Sequence, residues 1–257
     1  MQFFTHDDLR IAYLDEGPRD GFPILLVHGF ASSAQVNWIE PGWIDVLTGA
    51  GHRVVALDHR GHGQSDKPHD SALYTPGQMA GDCIALLDHL SIEQAVFFGY
   101  SMGARVSVFA AIDHAPRVRA LILGGLGWGL VEGVGDWGPI AEALLAPSLD
   151  VVTHARGRMF RAFADRTRSD RFALAACIEA NRQEPSQATV AALEVPALIG
   201  VGTRDDIAGS AERLAALMPQ AEAFAIEGRD HMLAVGDRSF KAAVVSFLHA
   251  HGFTRTA

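Results

Sequence analysis

The run Gly99-Tyr100-Ser101-Met102-Gly103 sets a serine between two glycines, and its flanks give that serine a chemical use. An apolar run of strand length precedes it, and a stretch with helical spacing begins at Met102. A serine at a tight strand-to-helix turn adopts strained backbone angles, and the glycines two residues either side remove side chains that would collide with neighbouring elements. The hydroxyl then stands at a helix N-terminus, where the dipole and free N–H groups favour the negative charge of a tetrahedral intermediate. Attack by Ser101 on a carbonyl carbon, from a nucleophile elbow, is the chemistry expected.

A neutral hydroxyl is a weak nucleophile, so a base must reach it and a third group must hold that base in one tautomer. Two segments downstream offer both. An apolar run at residues 197–201 leads into Gly202-Thr203-Arg204-Asp205-Asp206, and another at 222–226 leads into Gly228-Arg229-Asp230-His231. Acid and base thus sit just past two strand ends, where open α/β sheets place their active sites. Of twelve histidines, His231 alone has this position: His28, His52, His59, His62 and His69 precede the serine, while His249 and His251 lie at the last helix. Asp205 and its neighbour Asp206 are both candidates for the acid. Of the two backbone donors an oxyanion hole needs, one is expected from Met102 and the other from Phe30, in the loop His28-Gly29-Phe30.

These residues require a scaffold of alternating strands and helices. Short apolar runs at residues 24–28, 53–58, 95–99, 120–124, 197–201 and 222–226 read as buried strands, and 9–14 reads as an antiparallel edge strand. Helical spacing is found at residues 76–90, 102–112, 210–217 and 237–250, with Asp82 expected on the polar side of the first of these. The seven strand runs and one further strand give the prediction of an α/β protein with a mostly parallel eight-stranded sheet flanked by helices. Residues 126–194 break the rhythm with a Gly/Trp-rich start and Arg/Ala-rich helical patterning, so an inserted helical lid is expected there, between core segments 1–125 and 195–257. Arg156, Arg158, Arg161, Arg166, Arg168 and Arg171 stand in the lid against only Asp165 and Asp170; a solvated helix face is expected in preference to a clamp for a substrate carboxylate.

Composition narrows the partners. The formal charge of −9 argues against nucleic acid or an anionic membrane surface. The first ten residues lack the apolar run of a signal peptide, and no stretch approaches the length of a membrane span, so a cytoplasmic location is expected. Cys83 and Cys177 lack metal-site spacing and are expected to be buried thiols; neither a metal nor another cofactor is implied.

The chain resembles α/β-hydrolase fold proteins of the lidded serine esterase, lactonase and C–C hydrolase group. The likeness rests on His28-Gly29-Phe30, on residues 58–66, on Gly99 to Gly103, on Gly202 to Asp205 and on His231. It implies that Asp205, three residues after Gly202, is the acid, and that Arg60, Gly61, Gly63 and Ser65 shape a structural loop. It further implies that the lid lines a pocket, which would draw on Leu126, Trp128, Leu130, Trp137, Met159, Phe160 and Phe163, together with Tyr100 beside the nucleophile. Members with an aspartate nucleophile, such as haloalkane dehalogenases and epoxide hydrolases, differ at position 101. The function implied is hydrolysis of small-molecule carboxylic esters through an acyl-enzyme, with two alternatives: a lactonase or C–C bond hydrolase for a carboxylate-bearing substrate, and a binding protein with little turnover. Oligomeric state stays open.

Overall fold

Alternation of apolar side chains divides the buried strands between two faces of one sheet. The computed structural model describes residues 1–253. Its strands are β1 (Gln2–His6), β2 (Leu9–Glu16), β3 (Pro23–Val27), β4 (Arg53–Leu57), β5 (Ala95–Tyr100), β6 (Val118–Gly124), β7 (Ala197–Gly202) and β8 (Ala221–Ile226), in the spatial order β1-β2-β4-β3-β5-β6-β7-β8. β2 pairs antiparallel with both β1 and β4, and every other pairing is parallel. The helices are α1 (Trp43–Gly49), α2 (Pro76–His89), α3 (Met102–Asp113), α4 (Gly129–Glu132), α5 (Gly138–Leu145), α6 (Ala155–Thr167), α7 (Arg171–Ala180), α8 (Gln187–Ala191), α9 (Ala211–Leu217) and α10 (Arg238–Ala250).

Leu25, Val27, Val55, Leu57 and Phe97 point to one face, where they meet Met79 and Cys83 of α2 and Val106 of α3. Ile24, Leu26, Val54, Ala56 and Phe98 point to the other, against Trp43 of α1 and Phe240 and Val244 of α10. With both faces covered, the central strands are apolar throughout, which is why they stand out in the sequence. Local signals mark the helix starts. Thr75 and Gln78 form a capping box with Pro76 in the first turn of α2, and Asp237 accepts the Ser239 N–H at the start of α10.

Three expectations need correction. The strand at residues 9–14 is not the edge, because β1 pairs outside it through a two-residue turn at Asp7 and Asp8. Both turn residues have positive φ (49° and 61°), a conformation usually signalled by Asn-Gly, so this Asp-Asp hairpin carries a weak sequence cue. Asp82 is buried: both its oxygens accept from Arg60 at 2.7 Å, tying the loop after β4 to α2. The arginines between residues 156 and 171 do not form a uniformly solvated face. Arg161 is buried and donates to Asp165 and to the carbonyls of Ala143 and Ala146, and Arg171 donates to those of Leu144 and Ala146. These carbonyls close the C-terminal end of α5, whose last turn lacks helical N–H partners, so the guanidinium groups hold the insertion together. Arg158, Arg166 and Arg168 are exposed.

Residues 125–196, between β6 and β7, contain α4 to α8 and no strand. Among the described residues, no helix is long and apolar enough to cross a membrane.

Packing at the turn from β5 to α3 predicts a contrast between two glycine substitutions. A Cβ at Gly103 would collide with the carbonyls of Val27 and His28, whereas a Cβ at Gly49, at the end of α1, meets nothing within 4 Å. Gly103→Ala should therefore destabilise by about 3 kcal/mol or more, because backbone cannot move aside, while Gly49→Ala should be neutral or stabilising by up to about 1 kcal/mol. Urea unfolding of both variants tests this, and equal midpoints would refute it.

Candidate active site

β5 delivers Ser101 to a turn with φ 54° and ψ −113°, outside the regions that L-residues ordinarily adopt. Glycine flanks make the turn feasible: a Cβ at Gly99 would strike the Gly103 carbonyl, and Gly103 packs directly on β3. His231, in the loop after the edge strand β8, reaches Ser101 at the shared C-terminal end of the parallel strands. Its Nε2 lies 3.0 Å from Ser101 Oγ and its Nδ1 lies 2.8 Å from Asp205 Oδ2. The second oxygen of Asp205 accepts the N–H groups of Ile207 and Ala208 at 2.9 and 3.0 Å, so the carboxylate is buried and fixed. Asp206 is exposed. Of the two adjacent acids, the structure brings only Asp205 to the histidine.

Two positioning contacts were not anticipated. The Tyr100 hydroxyl donates to the backbone carbonyl of His231 at 2.6 Å, anchoring the histidine loop to the end of β5. Asn37 Oδ1 accepts the Gly29 N–H at 2.8 Å, which steadies the loop carrying Phe30. Asn37 belongs to a π-helical turn at Gln35–Ile39, a local geometry with little sequence signature and frequent at functional sites. Below this loop His28, His59 and His62 form a buried cluster, with ring centroids 4.7 Å (His28–His59) and 5.2 Å (His28–His62) apart. His28 Nε2 accepts the His59 N–H at 3.0 Å while Nδ1–H donates to the Gly29 carbonyl at 2.8 Å. A proton on Nε2 would break the first of these bonds. Burial pushes His28 down to about 4, His62 down to about 3 and His59 well below its usual range.

Asp58 accepts the N–H groups of Ala34 and Gln64, and Gly61 and Gly63 have positive φ, as a structural loop at residues 58–66 requires. Both cysteines are free and buried, and burial raises their thiol pKa values. Among the described residues, no group of three or more His, Cys, Asp or Glu side chains could hold a metal ion.

Two cavities meet at Ser101 and share Phe30 and Trp137 as walls. The inner one, about 120 Å³, is bordered by Met102, Leu126, Ile178 and Ile207 and by a polar group of Arg105, Asn181, Arg182 and Glu184. The outer one, about 540 Å³, is bordered by Tyr100, Phe160, Phe163, Arg166, His231 and Leu233. Of the expected pocket residues, Tyr100, Leu126, Trp137, Phe160 and Phe163 line these spaces. Trp128, Leu130 and Met159 do not: Arg213 covers the Trp128 ring at 4.1 Å, Leu130 is fully buried in the core, and Met159 faces outward. Arg105 was missed, although one cation inside the apolar run from Met102 to Ala111 was a readable signal.

The family model for the alpha/beta hydrolase fold matches residues 23–146. Over 124 residues the chain is 35% identical to a haloalkane dehalogenase of Psychrobacter cryohalolentis, a match covering 46% of this chain and 38% of that enzyme. The matched stretch spans about two fifths of the length of curated relatives that it matches. Among solved structures, a hydrolase from Pseudomonas aeruginosa superposes with a TM-score of 0.80 at 24% identity, covering 96% of this chain and 97% of that one. An enol-lactonase from Burkholderia xenovorans gives 0.78 at 24% identity, covering 96% and 100%.

The histidine cluster predicts acid lability. Folded-state pKa values below the unfolded value near 6.5 mean that the unfolded chain binds more protons, so stability is complete above about pH 6.5 and falls as pH drops towards 4 for His28 and 3 for His62. Each histidine kept neutral should cost about 2 kcal/mol between pH 7 and 5. An unchanged urea midpoint across that interval would contradict this.

Proposed function

For a chain that belongs to the α/β-hydrolase fold family, we propose a serine hydrolase that cleaves carboxylic esters of small to medium acyl groups through an acyl-enzyme. The observation that carries this reading is the unbroken chain of hydrogen-bonding distances from Asp205 through His231 to Ser101, 2.8 and 3.0 Å. Asp205 holds Nδ1 protonated, which leaves Nε2 free to take the Ser101 proton as Oγ attacks the carbonyl carbon. The oxygen that gains charge faces the N–H groups of Phe30 and Met102 at the start of α3, a twelve-residue helix whose dipole favours that charge. His231 then gives its proton to the departing alcohol, and water, activated by the same histidine, hydrolyses the acyl-serine. Serine at position 101 separates this chemistry from that of family members that attack with aspartate. Helices α4 to α8 act as the lid, supplying Trp137, Phe160 and Phe163 to the cavity walls. The lid arginines lend little to a carboxylate clamp, since most of them bind backbone carbonyls.

The inner cavity sets the expected acyl length. With p-nitrophenyl esters, kcat/KM should rise from acetate to about butyrate or hexanoate, by up to about 0.8 kcal/mol per methylene, then fall once the space is filled. Ser101→Ala should abolish this turnover. A preference climbing steadily to palmitate, or full activity in Ser101→Ala, would overturn the proposal.

The two neighbouring aspartates should separate sharply. In Asp205→Asn the amide oxygen can keep the Ile207 and Ala208 bonds while its NH₂ faces His231 and stabilises the wrong tautomer, so kcat should fall on the order of 10³–10⁴-fold. Asp206→Asn, at an exposed site, should change kcat by less than about threefold. Steady-state kinetics on both variants decides, and the opposite ranking would move the acid to Asp206.

A further inference from the structure

Accepting the serine hydrolase reading, the two cavities assign the halves of the substrate. The leaving oxygen must receive its proton from His231 Nε2, and His231 borders the outer cavity but not the inner one. The alcohol therefore departs through the outer cavity, and the acyl chain lies in the inner one, between Met102, Leu126, Ile178 and Ile207.

That inner space is not uniformly apolar. Arg105 is 5% exposed and borders it one helical turn beyond Ser101. Its guanidinium donates to the carbonyls of Gly129 (3.3 Å), Leu130 (3.5 Å) and Gln183 (3.0 Å). Among the described residues, no carboxylate lies within ion-pair distance of it. Carbonyl dipoles satisfy N–H groups without cancelling a charge, and Glu184, which also borders the cavity, acts on the buried Arg105 through space without forming an ion pair with it. With Arg105, Arg182 and Glu184 as its charged side chains, the lining carries one net positive charge. A guanidinium fork so placed suits a planar carboxylate.

We propose that Arg105 binds a free carboxylate at the far end of the acyl chain, so that the preferred substrates are monoesters of short dicarboxylic acids. The inner cavity, about 120 Å³ and bordered by both Ser101 and Arg105, leaves room for only a short chain between the two carboxyl groups. The reaction balances as ester plus water giving dicarboxylic acid plus alcohol. Ser101 Oγ forms the acyl bond as the ester C–O bond breaks, the alcohol leaves with the proton carried by His231, and water restores the serine.

The test separates binding from turnover. Glutarate should bind Ser101→Ala by calorimetry, more weakly at high salt, and its affinity should drop at least about tenfold when Arg105→Met is added, with Arg105→Lys intermediate. Glu184→Gln, a rim change that leaves α3 untouched, should tighten glutarate about threefold by removing a competing negative charge. In the active protein, the kcat/KM ratio of p-nitrophenyl hemiglutarate to p-nitrophenyl butyrate should exceed one and collapse in Arg105→Met. Failure of glutarate to bind, or equal binding by an Arg105→Met protein with unaltered melting, would overturn the inference. If Arg105→Met does not fold, unchanged or weaker glutarate binding by Glu184→Gln overturns it instead. Dicarboxylate binding without cleavage of any ester would count against the hydrolase reading alone, while brisk butyrate cleavage without glutarate binding would count against Arg105 alone.

Discussion

At Ser101 the backbone is held at φ 54° and ψ −113°, a conformation that persists only because its surroundings leave no alternative. α3 lies so close to β3 and β5 that neither Gly99 nor Gly103 could carry a Cβ without striking a backbone carbonyl. That approach depends in turn on a sheet filled from both faces, with Phe97 on one side and Phe98 against Trp43 and Phe240 on the other. The strained turn sets three things together: the direction of the Ser101 hydroxyl, the Met102 N–H beside it, and the start of the helix whose dipole faces the same point.

The remaining groups reach this point through hydrogen bonds made by backbone. Asp205 is pinned by two N–H groups of its own loop, and His231 by the Tyr100 hydroxyl through its carbonyl. Asn37 ties down the loop that carries Phe30. Each of these side chains works on a backbone group three or fewer residues from the proposed chemistry, so small shifts in loop geometry are resisted where they would matter most. The insertion follows the same logic, since Arg161 and Arg171 close the carbonyl end of α5 and thereby set the wall that contains Trp137.

Charge is distributed unevenly around the serine. Beneath the Phe30 loop, three imidazoles are kept neutral by burial and by a bond that needs an unprotonated nitrogen. On the other side Arg105 keeps a buried cation one turn from Ser101. The neutral imidazoles and the buried cation thus lie on different elements of one chain, on either side of Ser101.

The strands, most of the helices flanking the sheet and the serine, histidine and aspartate could be read from the sequence for a physical reason. Buried parallel strands are continuous apolar runs, and the strand-end loops around Ser101, Asp205 and His231 use residue types that few other roles would place there. β1 was passed over because its hairpin uses Asp7 and Asp8 where Asn-Gly is usual, and Asp82 was misplaced because helical periodicity cannot reveal a partner such as Arg60, 22 residues away in the chain. The partners of Arg161 and Arg171, the absence of Trp128 and Leu130 from the cavity walls, and the position of Arg105 beside the serine were settled only by folding. Each depends on which surfaces meet across long stretches of chain, and a one-dimensional pattern records the character of a surface without recording what it faces.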